Sequence, residues 1–132
     1  ERRERPATTV VLGTKSLWNI SPVAEPLLEL EQLLQLYWTG LSQPLKFFPE
    51  SSYAFAKADF KVRNGKAGKT VRQPMDFAQE KWNGNDFGTP GECEDAYFTL
   101  FFKDGDVLDD DFEECARTVF DPFFACAEET EL

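Results

Sequence analysis

The sequence contains no histidine. A chain without imidazole can form neither a Ser-His-Asp nor a Cys-His nucleophile pair, and it cannot supply the two histidines of an HExxH zinc site. Catalysis within this chain would have to rest on carboxylates, lysines or a metal held by them. The composition therefore excludes imidazole chemistry within this chain but does not by itself name a function.

Long apolar runs and paired cysteines are also lacking. No window approaches the ~18 consecutive apolar residues of a membrane span, and residues 1–5 alternate in charge where a signal peptide needs an apolar stretch. The three cysteines, Cys93, Cys115 and Cys126, are an odd number with no pairing rhythm. We therefore expect free thiols, no membrane contact and a cytoplasmic location.

Basic residues are scarce overall but unevenly placed. The net charge of −10 disfavours a surface that holds duplex DNA by neutralising many phosphates. Residues 57–72, named here the basic island, nevertheless hold six bases and one acid, whereas residues 92–132, the acidic end, hold fourteen acids and two bases. The bases of the island are Lys57, Lys61, Arg63, Lys66, Lys69 and Arg72. Both stretches suit solvated faces; alternatively, the island contacts phosphate or an acidic partner, and the acidic end contacts a basic protein.

The pattern of apolar and turn residues predicts a single, predominantly helical α+β domain over residues 1–132, with 1–7 and 127–132 as disordered ends. Two β-prone runs flank the turn at 13–15, which indicates a short hairpin or two strands joining a larger sheet. Apolar residues at helical spacing then predict packed helices. Their predicted bounds are 23–39, from Ser51 or Ser52 to Arg63, 71–82, 95–103 and 109–120, with another short helix starting at Asp121-Pro122. The apolar run at 95–103 also suits a buried strand. Phe47 and Phe48 are expected to pin the connector between the first two helices to the core, and the second helix is expected to turn Phe55, Ala56 and Val62 inward. At amphipathic positions, Trp18, Trp38 and Trp82 are expected in the core.

One short pattern imitates a nuclease site. Pro49-Glu50 is followed after eight residues by Asp59-Phe60-Lys61, the order of a Pro-acid and an acid-x-Lys pair in which two carboxylates hold Mg²⁺ beside a lysine. The chemistry requires a strand, so that alternate residues face the metal together, but this segment has a helical pattern. A magnesium-dependent nuclease using Glu50, Asp59 and Lys61 is therefore the less favoured interpretation, and it is kept as an alternative.

Several stretches together resemble a known family. Segment 33–52 combines a Leu-rich helix, a Tyr-x-x-Gly-Leu turn and a Pro-Leu-x-Phe-x-Pro connector. Further on come Lys81-Trp82-Asn83-Gly84, an acidic-aromatic segment at 95–102, and Val119-Phe120-Asp121-Pro122-Phe123. In this order, they are similar to the C-terminal domain of the gamma subunit of exodeoxyribonuclease V, the RecC family of bacterial RecBCD helicase-nucleases.

The resemblance implies a fragment of a much larger subunit and a role without catalysis, with no catalytic residue, no metal ligand and no bound cofactor in this chain. It implies the C-terminal part of a degenerate restriction-endonuclease-like domain, similar in fold to the RecB nuclease domain. It also implies RecB, RecD and the upstream part of RecC as partners, DNA contact through the complex, and ATP and Mg used by other subunits. The expected function is subunit assembly and guidance of split DNA strands in double-strand-break repair.

A second alternative to this function is an acidic mimic of DNA that occupies another protein's DNA-binding groove.

Overall fold

The computed structural model describes residues 8–66, 68, 72–85, 88–102 and 106–131. Along the chain these form β1 (Thr9–Leu12), β2 (Ser16–Ile20), α1 (Pro26–Gly40), α2 (Pro49–Arg63), α3 (Pro74–Asn83), β3 (Gly84–Asn85), β4 (Thr89–Pro90), a 3₁₀ turn at Glu92–Glu94, α4 (Ala96–Phe101), α5 (Asp110–Cys126) and β5 (Ala127–Glu131). The predicted α+β class with mostly helical content is confirmed. Residues 1–7, Val71, Lys103 and Leu132 lie outside the described residues.

A three-stranded antiparallel sheet joins the two ends of the chain. The predicted hairpin is present: β1 pairs with β2 from Thr9 opposite Ile20 to Leu12 opposite Leu17. The other edge of β2 pairs with β5, from Ser16 opposite Glu131 to Ile20 opposite Ala127. The expectation of disorder at 127–131 was therefore wrong, because β2 offers a free edge whose ladder the glutamate-rich segment completes.

The core is built around Phe48, which lies in the proline-bracketed connector between α1 and α2. Its ring is fully buried and meets four other rings, with centroids at 4.5 Å for Trp82, 5.0 Å for Phe98, 5.3 Å for Phe102 and 6.1 Å for Phe112. These partners come from α3, α4, the residue after α4, and α5. The expectation that Phe47 and Phe48 pin this connector to the core is thus met by Phe48, whose ring contacts α3, α4 and α5.

Helix α2 lies at the centre of the helical layer and packs against both α3 and α5. Phe55 and Ala56 are buried as predicted, whereas Val62, expected on the same inner side, is 50% exposed. The helix also begins earlier than predicted, because Pro49 with its fixed φ occupies the first turn. Ser51 and Ser52 are therefore fully buried inside the helix and do not cap it.

The cap of α2 comes from a distant part of the chain. The Glu92 carboxylate accepts hydrogen bonds from the backbone N–H of Glu50 (2.9 Å) and of Ser51 (2.8 Å), and from the Ser51 hydroxyl (2.6 Å). An anion at this end also complements the positive pole of the helix dipole. Glu92 is held close by a tight crossing in which a Cβ added to Gly91 would lie 2.2 Å from the Trp82 carbonyl oxygen.

Helix α5 is continuous through Pro122, where a break and a second helix were predicted. Proline removes one backbone N–H and crowds the preceding turn, which favours a break when only local propensity acts. Here the residues around Pro122 are anchored by ring contacts, with Phe120 5.4 Å from Tyr53, Phe124 5.9 Å from Phe60 and Phe123 5.2 Å from Trp18. Tertiary packing therefore overrides the local signal.

Candidate interaction surfaces

Helix α1 turns its apolar face away from the rest of the domain. None of its residues is buried. Six large side chains along it and just after it are 52–81% exposed: Leu27, Leu30, Leu34, Tyr37, Trp38 and Leu41. Their spacing of three and four residues places them on a single face, named here the α1 stripe.

The opposite, polar face of α1 is the one turned towards the domain. Gln32, Gln35 and Thr39 line a cleft of about 720 Å³ whose far wall is formed by α5 residues such as Asp111 and Thr118. An amphipathic helix that packs on its own core shows the reverse arrangement. The apolar periodicity of α1 is therefore not used within this domain.

The three tryptophans differ in their surroundings. Trp82 and Trp18 are half-buried and pack on Phe48 (4.5 Å) and Phe123 (5.2 Å), as the expectation of core positions requires. Trp38 is 73% exposed on the α1 stripe, and there the expectation was wrong. Helical spacing identifies an apolar face but does not say what covers it.

Asp59, the acid of the candidate nuclease pair, is held by two arginines. Its carboxylate accepts hydrogen bonds from Arg63 Nε (2.7 Å) and from Arg117 Nε (2.9 Å) and Nη2 (3.3 Å). Burial alone would raise the pKa of Asp59, but the hydrogen bonds and charges of Arg117 and Arg63 outweigh it and lower the pKa. Asp59 is thus a structural anion between α2 and α5.

The geometry does not assemble Glu50, Asp59 and Lys61 as a metal site. All three lie on α2, where the step of nine positions from Glu50 to Asp59 corresponds to a rise of about 13 Å. Asp59 and Lys61 are two positions apart on a helix and diverge around its axis. No group of three acidic or thiol side chains able to hold a metal occurs within the described ranges. The acid-x-Lys pattern lacks the strand that its chemistry needs.

The basic island does not form one surface. Arg63 lies apart from the others, because its guanidinium bridges Asp59 and Asp121. Lys57, Lys61, Lys66 and Arg72 line a cavity of about 610 Å³ between α2 and α3, named here the α2–α3 cleft. Lys69 lies outside the described residues.

The α2–α3 cleft is also lined by one basic residue from outside the basic island, which was not predicted from the sequence. Lys81 of α3 joins the four bases of the island, and Glu50 is the one acid among the described lining residues. The Lys81 ammonium group lies 3.9 Å from the Glu50 carboxylate. The sequence feature that could have placed Lys81 in this cleft is its spacing of four residues from Phe77, because residues four apart on a helix lie on one face and Phe77 lines the same cleft.

The acidic end provides partners for bases elsewhere in the fold. Glu129 of β5 pairs with Lys57 at 2.7 Å, and Asp121 of α5 pairs with Arg63 at 2.7 Å. Burial alone would lower the pKa of Lys57, but its hydrogen bond with Glu129 helps to raise it, and the same bond lowers the pKa of Glu129. The two oppositely charged stretches of the sequence are therefore partly intramolecular partners.

The cysteines and helices add two further observations. Cys93, Cys115 and Cys126 are free thiols, and burial raises the pKa of Cys115, which keeps that thiol protonated. None of the helices within the described ranges has both the length and the hydropathy of a membrane span.

Comparison with known proteins gives one family. Residues 9–60 match the family described as the RecC C-terminal domain. This segment, less than half of the chain, contains the whole of 33–52, on which the resemblance chiefly rests, and it covers the structure from β1 into α2. The predicted resemblance is confirmed over that segment. Among curated proteins, no sequence match to the chain is found.

Proposed function

From the match of residues 9–60 to the RecC C-terminal domain family, we propose that the chain is a non-catalytic C-terminal domain of a RecC subunit. That family is part of exodeoxyribonuclease V, a multi-subunit enzyme. In the proposed role, the domain binds RecB, RecD or the upstream part of RecC in the bacterial cytoplasm. It is the C-terminal part of a degenerate nuclease-like domain, and it helps to guide the split DNA strands during double-strand-break repair.

The observation that carries the proposal is the α1 stripe. Six side chains that are 52–81% exposed present on the order of 800 Å² of surface, above the ~300–600 Å² of the largest apolar patch on a typical monomer. One side of a standard protein interface buries about the same area, ~800 Å². A folded domain that leaves such a face uncovered is suited to assembly with another protein surface.

The role without catalysis is supported by how the carboxylates are engaged. Asp59 is held by two arginines, and Glu92, with its hydrogen bonds to the start of α2, is a helix cap. Lys46 pairs with Asp109, and the hydrogen bond it donates lowers the pKa of that carboxyl. Side chains committed to structural contacts of this kind are poorly placed to bind a catalytic ion.

The part in strand guidance is supported by the α2–α3 cleft. Reversing the charges of Lys61, Lys66 and Lys69 is expected to weaken single-strand contact in the full complex while this domain stays folded. Ultraviolet crosslinking of DNA to the assembled complex measures that contact. Unchanged crosslinking would remove the strand-guiding role but leave the assembly role standing.

Assembly is tested by co-purification with RecB, RecD and the remainder of RecC. The variant Leu34→Glu places a charge in the middle of the α1 stripe, and we expect it to reduce recovery of the complex at least tenfold. Gln35→Glu adds the same charge one residue away, on the polar face, and should leave recovery unchanged. Circular dichroism checks that both variants fold. Failure of the unmodified chain to bind any of these subunits would refute the assembly role.

A further inference from the structure

We propose that the α2–α3 cleft is a binding site for a phosphate-bearing ligand of nucleotide size. Lys61 and Lys66 would hold a phosphoryl group, and the apolar wall beside them would take the face of a base. The inference deepens the strand-guiding part of the proposed function, and it rests on that function only for the biological source of the phosphate.

The first support is the concentration of positive charge in the cleft. Among the described residues, five cationic side chains and one acidic side chain line it, in a chain whose net charge is −10. A concave surface lined by one sign of charge focuses the electrostatic field and attracts ligands of the opposite sign. The cleft therefore favours an anion against the trend of the whole molecule.

The second support is that the cations divide into engaged and available groups. Lys57 pairs with Glu129 at 2.7 Å, Arg72 pairs with Glu80 at 2.7 Å, and Lys81 lies 3.9 Å from Glu50. Among the ion pairs of the described residues, none involves Lys61 or Lys66, and both residues are exposed. The charge of Lys61 helps to lower the pKa of the nearby Glu129, but Lys61 forms no ion pair with it, so Lys61 and Lys66 are the ammonium groups open to a ligand.

The available groups favour phosphate over a carboxylate. A planar carboxylate is best matched by the two-pronged guanidinium of arginine, but Arg72, the arginine lining the cleft, already binds Glu80. Lysine ammonium groups are point charges that suit a tetrahedral phosphate. The non-bridging oxygens of a tetrahedral phosphate point in different directions, so one phosphate can contact Lys61 and Lys66 together, whether it ends a nucleotide or lies within a strand.

The third support is the apolar wall. Ala54, Ala58 and Val62 lie on the side of α2 that lines the cleft, and Phe77 of α3 lines it as well. The Arg72 guanidinium stacks on the Phe77 ring with its central carbon 4.3 Å from the centroid. Bases stack on both aromatic rings and guanidinium planes. At about 610 Å³, the cleft falls within the ~300–1,000 Å³ of ligand pockets.

The test is an equilibrium titration of the full chain with a 5′-fluorescein hexathymidylate, read by fluorescence anisotropy. Unlabelled ATP, inorganic tripolyphosphate and hexaglutamate, all without magnesium, serve as competitors. We expect the probe to bind, ATP to displace it, and tripolyphosphate to displace it several-fold less effectively. Lys61→Gln and Lys66→Gln should each weaken binding about three- to tenfold and reduce the salt slope by about 0.7.

Lys15→Gln is the matched control, because it removes one charge from the exposed turn between β1 and β2, away from the cleft. It should change affinity less than twofold.

Tighter binding of hexathymidylate than of ATP would assign the phosphate to a nucleic-acid strand, and the reverse would assign it to a free nucleotide. Absence of binding, equal effects of all three lysine variants, or displacement by hexaglutamate as effective as by ATP would overturn the proposal. So would equal displacement by tripolyphosphate, since the apolar wall would then contribute nothing.

Co-purification plays no part in this titration. A chain that fails to assemble with RecB and RecD but binds the probe through Lys61 and Lys66 would refute the proposed function and support the site. A chain that assembles but does not bind the probe would do the opposite.

Discussion

Replacing Asp59 by asparagine tests the structural role of this carboxylate between α2 and α5. The variant Asp59→Asn keeps the side-chain shape but leaves Arg63 and Arg117 facing a neutral group at the contact between α2 and α5. Because Asp59 is 8% exposed, water cannot fully replace the lost interaction. We expect a loss of stability with no change of fold.

The magnitude follows from the surroundings of the network. Breaking a fully buried ion pair by removing one partner costs about 3–5 kcal/mol. Here the arginine side chains are 42% and 38% exposed, and each keeps a second acid, Asp121 for Arg63 and Glu113 for Arg117. The free energy of unfolding should therefore fall by about 2 kcal/mol, which lowers Tm by about 6–10 °C for a chain of this length.

The pH dependence has a defined sign. Because folding lowers the pKa of Asp59, the stability it contributes is present above its ordinary pKa of 3.8 and is lost as the pH falls through the folded value. The Tm difference between the parent chain and Asp59→Asn should therefore be full at pH 7 and shrink below about pH 4. Thermal unfolding followed by circular dichroism measures it. A difference below 2 °C at pH 7, or one that does not shrink in acid, would refute this reasoning.

Three further predictions concern packing, capping and thiol access. Phe48→Ala should reduce the free energy of unfolding in urea by about 4 kcal/mol, whereas Phe101→Ala, at a residue 60% exposed, should cost less than about 1 kcal/mol; similar losses would mean that Phe48 is not the centre of the core. Glu92→Ala should lower stability by about 1–2 kcal/mol through loss of the α2 cap, and a loss that added salt leaves unaltered would argue against a carboxylate cap. Cys115, buried and with a raised pKa, should react with a thiol reagent under native conditions more slowly than the other two cysteines, and labelling of all three at one rate would contradict its placement.

Local patterns predicted much of the fold. Apolar spacing located the helices, and Asp95 was recognised as a helix start, where its carboxylate accepts from the backbone N–H of Tyr97 at 2.8 Å. Proline marked helix starts as well: α1 begins at Pro26 and α3 at Pro74, each three residues later than the apolar pattern suggested. Signals of this kind lie within a few residues of the feature that they predict.

What could not be predicted depends on contacts between distant residues. The cap of α2 joins Ser51 to Glu92, 41 residues away, and the anchor of Asp59 is Arg117, 58 residues away. No local spacing encodes these pairs, because the hydrogen bonds form only when the helices pack. The orientation of α1 escaped prediction for a related reason: its periodicity is the same whether the stripe meets its own core or another protein.

The two proposed surfaces differ in physical character and should therefore be separable. The α1 stripe is apolar, so binding there should persist in high salt, whereas the α2–α3 cleft depends on ammonium groups and should weaken steeply as salt rises. Leu34→Glu should accordingly impair assembly and leave anion binding intact, and Lys61→Gln should do the reverse. If either variant impaired both activities while the fold was preserved, the two surfaces would be parts of one interface, and the division of roles between α1 and α2 would have to be abandoned.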